Sequence, residues 1–172
     1  MPCALTTGYT LDCRDSIGGI KEVYFMELSN VSGTTVASGT VTAIVKATGK
    51  RFFKYEQEIN TADFTEDDKY SRENGTLYFE QKLSLVFNKY TAALMQELLL
   101  LAKNRLVALV VMKDGTNRYL GYLNGLMVSE GQYTGGKAMG DRNGKTITLM
   151  GEETNPAYFV TDALITAATT AG

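Results

Sequence analysis

The chain has 172 residues, a length typical of one domain, and its 44% hydrophobic content is enough to build a core. Its 17 basic and 19 acidic residues give a net charge of −2, which argues against a general nucleic-acid-binding protein, since such proteins are usually clearly basic. The absence of histidine excludes hydrolases that use Ser-His-Asp or Cys-His groups, and it excludes metal sites with histidine ligands.

The N-terminal segment, residues 1–19, is predicted to be an irregular arm because it is rich in Gly, Thr and Asp. It lacks the basic and apolar stretches of a signal peptide, so we expect a soluble protein made in a cytoplasm. The apolar stretches LLLLA and LVALVVM are too short for a membrane anchor. Cys3 and Cys13 are too few for a structural zinc site, and we expect reduced thiols, with a disulfide as the alternative.

The next segment is predicted to contain two strands, over 21–28 and 40–49, where apolar and β-branched residues dominate. A polar loop rich in Gly, Ser and Thr, residues 29–40, joins them. The stretches KRFFKYEQEIN and GTLYFEQKLSLVFNKY then alternate between apolar and polar residues, with the charged connector TADFTEDDKYSREN between them. We predict a long β-hairpin over 51–88 that projects from the domain and has this connector as its tip.

A single α-helix is predicted over 91–103, with Thr91 as its N-cap and Asn104 at its C-terminal end. Its apolar residues recur at helical spacing, so the helix is expected to lie on a sheet. The residues of this stripe are Leu94, Met95, Leu98, Leu99, Leu101 and Ala102.

Four further strands are predicted over 105–115, 117–132, 145–153 and 157–162. The second either turns at Asn124–Gly125 or is one bent strand with a bulge. The remaining tail, 163–172, consists of small residues and is predicted to be an extended or flexible end. The fold class is therefore mainly β with one flanking helix: a single domain over 20–162, built as a β-barrel or a β-sandwich.

The segment GDRNGKT, residues 140–146, is similar to the phosphate-binding loop G-x-x-x-x-G-K-[ST], but its first glycine is one residue too close. A phosphate-binding loop leads into a helix whose N-terminus contacts the phosphate, whereas KTITLMGEE alternates like a strand. Asn-Gly is a strong signal for a hairpin turn. We therefore predict a structural turn at Asn143 and Gly144 and no nucleotide site.

No catalytic residue, metal site or cofactor is predicted elsewhere. The adjacent carboxylates Glu66, Asp67 and Asp68 lack the spacing of a calcium-binding loop. Glu152 and Glu153 are neighbours on a predicted strand and point to opposite faces, so they are poor partners for acid–base catalysis. The ten tyrosines have no basic groove or repeated spacing that would indicate sugar or base stacking.

The projecting hairpin is the predicted site of function. A two-stranded ribbon is marginally stable alone, and its edges favour pairing with another chain. We therefore predict that it packs against a second copy through a partly electrostatic contact, and that a contact between unlike surfaces gives a ring if it closes. The candidate contact residues are Phe64, Glu66, Asp67, Asp68, Lys69, Tyr70 and Arg72.

The order of strands, charged hairpin, single helix and further strands resembles the tail tube proteins of long-tailed bacteriophages, which share a fold with the type VI secretion tube protein. The segments SGTVTAIVKATGKRFFKYEQEIN, LYFEQKLSLVFNKYTAALMQELLLLAKN and TGGKAMGDRNGKTITLMGEE carry the resemblance, which covers about residues 20–160. It implies a barrel whose copies form hexameric rings, with a continuous sheet lining a lumen. The rings stack into a tube that conducts DNA during ejection, the helix lies outside, and the hairpin bridges rings.

The resemblance also implies that the protein is part of the virion, contacts other tail proteins and lets DNA pass without binding it specifically. Lumens of this family are often acidic, so Glu56, Glu58 and Glu80 are candidate lumen-lining residues. The alternatives are another virion structural protein (a tail terminator, a podovirus tail ring or a capsid decoration protein) and a β-rich module that binds a carbohydrate or a protein. An enzyme is the least favoured class.

If GDRNGKT is a turn, the purified protein should not bind ATP, because no helix N-terminus meets the phosphates. Isothermal titration with ATP and Mg²⁺ should give no binding heat, and Lys145→Ala should leave the titration unchanged. Binding by the wild type that Lys145→Ala abolishes would overturn this interpretation.

Overall fold

The computed structural model describes residues 7–9 and 17–170, so most of the predicted arm over 1–19 lies outside the described residues. Strands dominate, which confirms the mainly-β prediction. A short 3-10 helix, Leu28–Asn30, follows the first strand. The strands are β1 (Ile20–Glu27), β2 (Val31–Ala37), β3 (Thr40–Lys46), β4 (Phe53–Glu56), β5 (Asp63–Ser71), β6 (Thr76–Phe87), β7 (Leu106–Met112), β8 (Asn117–Leu120), β9 (Met127–Thr134), β10 (Gly144–Glu153) and β11 (Tyr158–Val160), and the α-helices are α1 (Ala92–Lys103) and α2 (Asp162–Thr169).

The strands form two sheets. Sheet A has seven strands in the order β2-β3-β11-β8-β7-β1-β4, and its neighbours are antiparallel except for β11 and β3. Sheet B has four strands in the order β5-β6-β10-β9, and all its neighbours are antiparallel. Within the described residues, neither α-helix is long and apolar enough to cross a membrane.

The centre of sheet A is buried on both faces, because β7 has the nearly continuous apolar sequence LVALVVM. Alternate residues of β1 and β7 therefore enter two different cores. The first core lies between the sheets, where Phe25 of sheet A packs with Leu85 and Leu149 of sheet B and with α1. The second core lies on the other face of sheet A, where α2 packs.

Helix α1 begins and ends as predicted. The Thr91 hydroxyl accepts a hydrogen bond from the Leu94 N–H at 3.2 Å, and Asn104 is the C-cap. The apolar stripe is only partly buried, however. Leu98 and Leu101 enter the first core, whereas Met95 and Leu99 remain 44% and 49% exposed. The helix therefore leaves an apolar face in solvent.

The prediction of an extended or flexible tail over 163–172 is wrong for residues 163–169, which belong to α2. Its side chains are small, but sheet A buries Ile165 and Ala168. At the C-terminal end of α2, the Lys46 Nζ donates to the carbonyl oxygens of Ala167, Ala168 and Thr170 at 3.1, 3.0 and 2.5 Å. A cation at this position also interacts favourably with the helix dipole.

The predicted hairpin over 51–88 has the wrong first strand. β4 pairs with β1 in sheet A, and β6 pairs with β5, which lies inside the predicted charged connector. The tip is therefore only residues 72–75. The predicted loop over 29–40 likewise contains a strand, β2. Both β5 and β2 are edge strands, whose polar residues resemble those of loops because much of the strand faces solvent.

The structure decides two predictions for the second half of the chain, those for residues 117–132 and for GDRNGKT. The region 117–132 forms two strands, β8 and β9, and Gly125 in the connection has a φ of 76°. The strand after GDRNGKT is confirmed as β10, but Asn143 and Gly144 do not form the predicted hairpin turn, since neither has a positive φ. Residues 135–143 make a longer connection instead. Gly144 is needed because a Cβ there would collide with the Phe87 carbonyl oxygen.

Gly144→Ala should destabilise the protein by about 1–3 kcal/mol, as overpacking does, because backbone atoms cannot move aside cheaply. Thermal unfolding should show a melting temperature lower by about 2–4 °C for each kcal/mol. Gly140→Ala is the matched control, since nothing lies within 4 Å of its Cβ position. Equal melting temperatures for the two variants would contradict the proposed role of Gly144.

Candidate assembly surface

Sheet B has two unpaired outer edges. β5 and β9 lie at its two ends, and within the described residues no strand pairs with the outer side of either. β5 has nine residues and β9 has eight, so the two edges have similar lengths. Unpaired N–H and C=O groups along such edges are a template for pairing with another chain.

Sheet B also has two chemically different faces. Residues opposite one another in a ladder share a face, and the buried residues Leu83, Leu85 and Leu149 define the face that points to the first core. We call the other side the open face. It is polar, and its carboxylates outnumber its ammonium groups. The charged residues of the open face are Asp63, Asp67, Glu80, Glu130, Glu152, Lys69 and Lys82.

The predicted lumen-lining residues do not share one surface. Glu80 lies on the open face of sheet B, whereas Glu56 lies on β4 in sheet A and Glu58 follows that strand. The prediction placed them on one face because it assigned 51–59 to the hairpin. Glu56 instead contacts Lys54 at 2.8 Å, and hydrogen bonds from Lys54 to the carboxylates of Glu56 and Glu22 raise the pKa of Lys54 above its ordinary value.

Two of the predicted contact residues are engaged inside the subunit. Phe64 packs against the first core. Glu66 Oε2 accepts hydrogen bonds from the Ala157 N–H at 2.6 Å and from Gln81 Nε2 at 3.2 Å. These two side chains therefore hold β5 to the rest of the subunit.

The other predicted contact residues are available to a partner. Asp67 and Lys69 lie on the open face, 3.9 Å apart, and Arg72 lies at the exposed hairpin tip. Asp68 and Tyr70 are on the opposite face: Asp68 is level with Phe79, in the last pair between β6 and β10, and Tyr70 lies two residues beyond it. Tyr70 is 75% exposed. The end of the hairpin thus projects as a two-stranded ribbon with an unpartnered aromatic ring.

The two ends of sheet B differ in charge. The hairpin end, residues 63–73, carries more acidic than basic residues, whereas the connection and strand start over 137–145 carry Lys137, Arg142 and Lys145 with a single carboxylate, Asp141. That carboxylate accepts hydrogen bonds from the Ala138 and Lys137 N–H groups at 2.9 and 2.8 Å, which lowers its pKa. A partner approaching this edge therefore meets a locally basic surface.

An apolar groove lies beside β9. It has a volume of about 280 Å³, and Lys145 stands at it, with its Nζ 5.7 Å from the ring centroid of Tyr90. We call it the α1 groove. It is lined by Tyr90, Met95, Leu99, Ala102, Val128 and Gly131. Sequence reasoning missed it because β9 itself, MVSEGQYT, is mostly polar.

The buried carboxylate of Glu153 has a structural role. Although 2% exposed, it accepts hydrogen bonds from the backbone N–H groups of Leu123, Asn124 and Gly125, at distances from 2.8 to 3.3 Å. Glu152 points the other way and is exposed, as the alternation predicted. Glu153 therefore fixes the connection between β8 and β9, which positions the edge strand.

No metal-binding group of three or more Cys, Asp or Glu side chains is found among residues 7–9 and 17–170. No protein-family model, curated protein or solved structure matches the chain. The surfaces that the described residues do present are the two edges of sheet B, its open face and the α1 groove.

Glu153→Gln should lower the free energy of unfolding by about 1–3 kcal/mol, because hydrogen bonds from three backbone N–H groups to a buried, charged acceptor are replaced by weaker ones. Glu152→Gln, one residue away and exposed, should change it by less than about 0.5 kcal/mol. Urea unfolding of both variants measures the difference. Indistinguishable unfolding midpoints would show that the Glu153 contacts are not needed.

Proposed function

We propose that this chain is a virion structural protein of a bacteriophage, whose copies join into rings that stack to form a tail tube. The observation that carries the proposal is the pair of unpaired edges on sheet B. In the order β5-β6-β10-β9 each strand runs opposite to its neighbour. Because the number of strands is even, β9 of one copy and β5 of the next run antiparallel when the sheets join side by side.

This contact is heterologous, since it joins two different edges of the same chain. Repeated copy after copy, it gives a closed ring when the rotation between copies closes, with one continuous antiparallel sheet around it. Pairing also removes both exposed edges of each copy. The resemblance to tail tube proteins supports six copies per ring.

Sheet A offers a weaker alternative. Its outer strands are β2 and β4, and β4 has only four residues. Very short edge strands are one means by which proteins prevent pairing with other chains. Both faces of sheet A are also covered, one by sheet B and α1 and the other by α2. Over residues 17–170, only sheet B combines two long edges with an uncovered face.

The open face suits the lining of a DNA conduit. Its carboxylates repel phosphate groups, whereas proteins that bind DNA neutralise phosphates with Lys and Arg. A surface of this kind lets a charged polymer pass without holding it. In the proposed ring the open face lines the lumen and α1 lies on the outside.

The proposal predicts concentration-dependent assembly. Concentrated protein should form rings or tubes in negative-stain electron micrographs, and light scattering coupled to size exclusion should show masses well above the 18.8 kDa of one chain. Protein that stays monomeric at every concentration would overturn the proposal. Globular oligomers without a lumen would favour another virion role instead of a tube.

Assembly should also depend on charge, because the acidic hairpin end meets the basic end of the 137–145 segment. Lys137→Glu should raise the concentration needed for assembly about tenfold, and 1 M salt should weaken wild-type assembly. Lys50→Glu is the matched control, since it makes the same charge change in the exposed turn after β3. Equal effects of the two variants would show that net charge, and not this contact, controls assembly.

A further inference from the structure

We propose that the α1 groove of one copy receives Tyr70 of the next copy, with Asp68 of that copy beside Lys145. This inference rests on the proposed ring and adds the register and the side chains of its interface. It explains two surfaces that the described part of the subunit leaves unpartnered: an apolar groove next to one sheet edge and an exposed aromatic ring on the other.

The sheet geometry limits which side chains can reach the groove. When β5 of the next copy continues the sheet past β9, the core-side residues of the two strands share one face. On β9 that face contains Gly131, which is opposite the buried Ile147. On β5 it contains Phe64, Glu66, Asp68 and Tyr70.

Within the subunit, two of these four side chains are already engaged. Phe64 packs in the first core, and Glu66 accepts the hydrogen bonds from Ala157 and Gln81. Asp68 is level with the last pair between β6 and β10, Tyr70 lies beyond it, and both are exposed. They are therefore the pair that a neighbouring copy can bind.

The groove matches this pair in chemistry and in order. A Cβ placed on Gly131 would lie 3.8 Å from the Lys145 Nζ, so a carboxylate opposite Gly131 reaches the ammonium group. Asp68 at that position forms an ion pair with Lys145. Tyr70, two residues further along the same face, then lies over Val128 and Leu99, in the apolar part of the groove. An aromatic residue beside an edge glycine covers the backbone that the glycine leaves bare.

The register also produces the stagger that a closed sheet needs. In one copy, Gly131 of β9 is in line with Ile147 of β10 and Leu85 of β6. Since Ser84 is opposite Asp63 of β5, the position in line with Gly131 on that side of the sheet is residue 62. Placing Asp68 opposite Gly131 therefore offsets the next copy by about six residues, or about 20 Å along the strands. Strands of a closed barrel are tilted, and a tilt requires such an offset.

A charge exchange tests the ion pair. Asp68→Lys should raise the concentration needed for assembly about tenfold, and the double variant Asp68→Lys with Lys145→Asp should restore most of it. Asp67→Lys is the matched control, because it makes the same change in the charge of the hairpin end from the open face, so a larger effect of Asp68→Lys measures the ion pair itself. If the double variant fails to recover assembly while the melting temperatures are unchanged, the proposed ion pair between Asp68 and Lys145 is wrong.

Tyr70→Ala should likewise abolish assembly at concentrations where the wild type forms rings, because the groove loses its occupant. Tyr78→Ala removes a tyrosine from the neighbouring strand on the opposite face and should leave rings intact. Gly131→Ala should weaken assembly with little change in melting temperature, since its Cβ meets only ordinary contacts. Normal assembly of both Tyr70→Ala and Gly131→Ala would exclude the groove as the receiving site.

Cross-linking tests the register directly. In a background with Cys3 and Cys13 replaced by serine, Asp68→Cys combined with Gly131→Cys should form disulfides between chains upon oxidation, because paired residues bring their Cβ atoms close together. The protein is concentrated until rings form, since both substitutions are expected to weaken assembly. Asp67→Cys with Gly131→Cys should not, since the side chains point to opposite faces. A monomeric wild type overturns both proposals, whereas rings without the 68–131 cross-link overturn the register alone.

Discussion

The two-sided burial of β7 and β1 in sheet A is the constraint on which the rest of the structure depends. Since these strands are apolar on both faces, each face must be covered. Sheet B and α1 cover one face, and α2 covers the other. Sheet B thus buries only one of its own faces, and the residues that the structure describes leave its opposite face and both of its outer edges uncovered. The surfaces proposed for assembly follow from this asymmetry.

Polar contacts inside the subunit hold these surfaces in place. Glu66 and Gln81 attach β5 to β6 and to the segment before β11. Gln81 also accepts a hydrogen bond from the Gly121 N–H, and Glu153 binds the connection that leads into β9. Side chains that are buried and hydrogen-bonded therefore support both edge strands. A rigid edge loses less conformational freedom on pairing than a mobile one, which favours association.

Much of the fold could be predicted where local signals agree with tertiary packing. The Thr91 cap, the continuous apolar run of β7 and the alternation of β10 each specify their element. β5 and β2 could not be identified, because an edge strand in solvent has the composition of a loop. Helix α2 was missed since its burial depends on sheet A and on Lys46, which lies more than a hundred residues earlier.

The candidate site was predictable only where its residues give a local sequence signal. Asp68 and Tyr70 were predicted as contact residues because their segment is rich in charged residues and contains aromatic ones. The α1 groove left no such signal, since it arises from the way α1 lies against β9, and Gly131 contributes by having no side chain. The contribution of Gly131 to the groove cannot be predicted from the sequence, because it depends on which side chains lie next to this glycine in the fold.

The even alternation of strands in sheet B has an electrostatic consequence for a conduit. Each strand carries only a small dipole, and neighbouring antiparallel strands oppose one another. In the four-strand unit these dipoles largely cancel, so a ring of such units adds little backbone field along its axis. A polyanion inside the proposed tube then experiences side-chain charges that repeat from ring to ring, and the wall itself favours neither direction of travel.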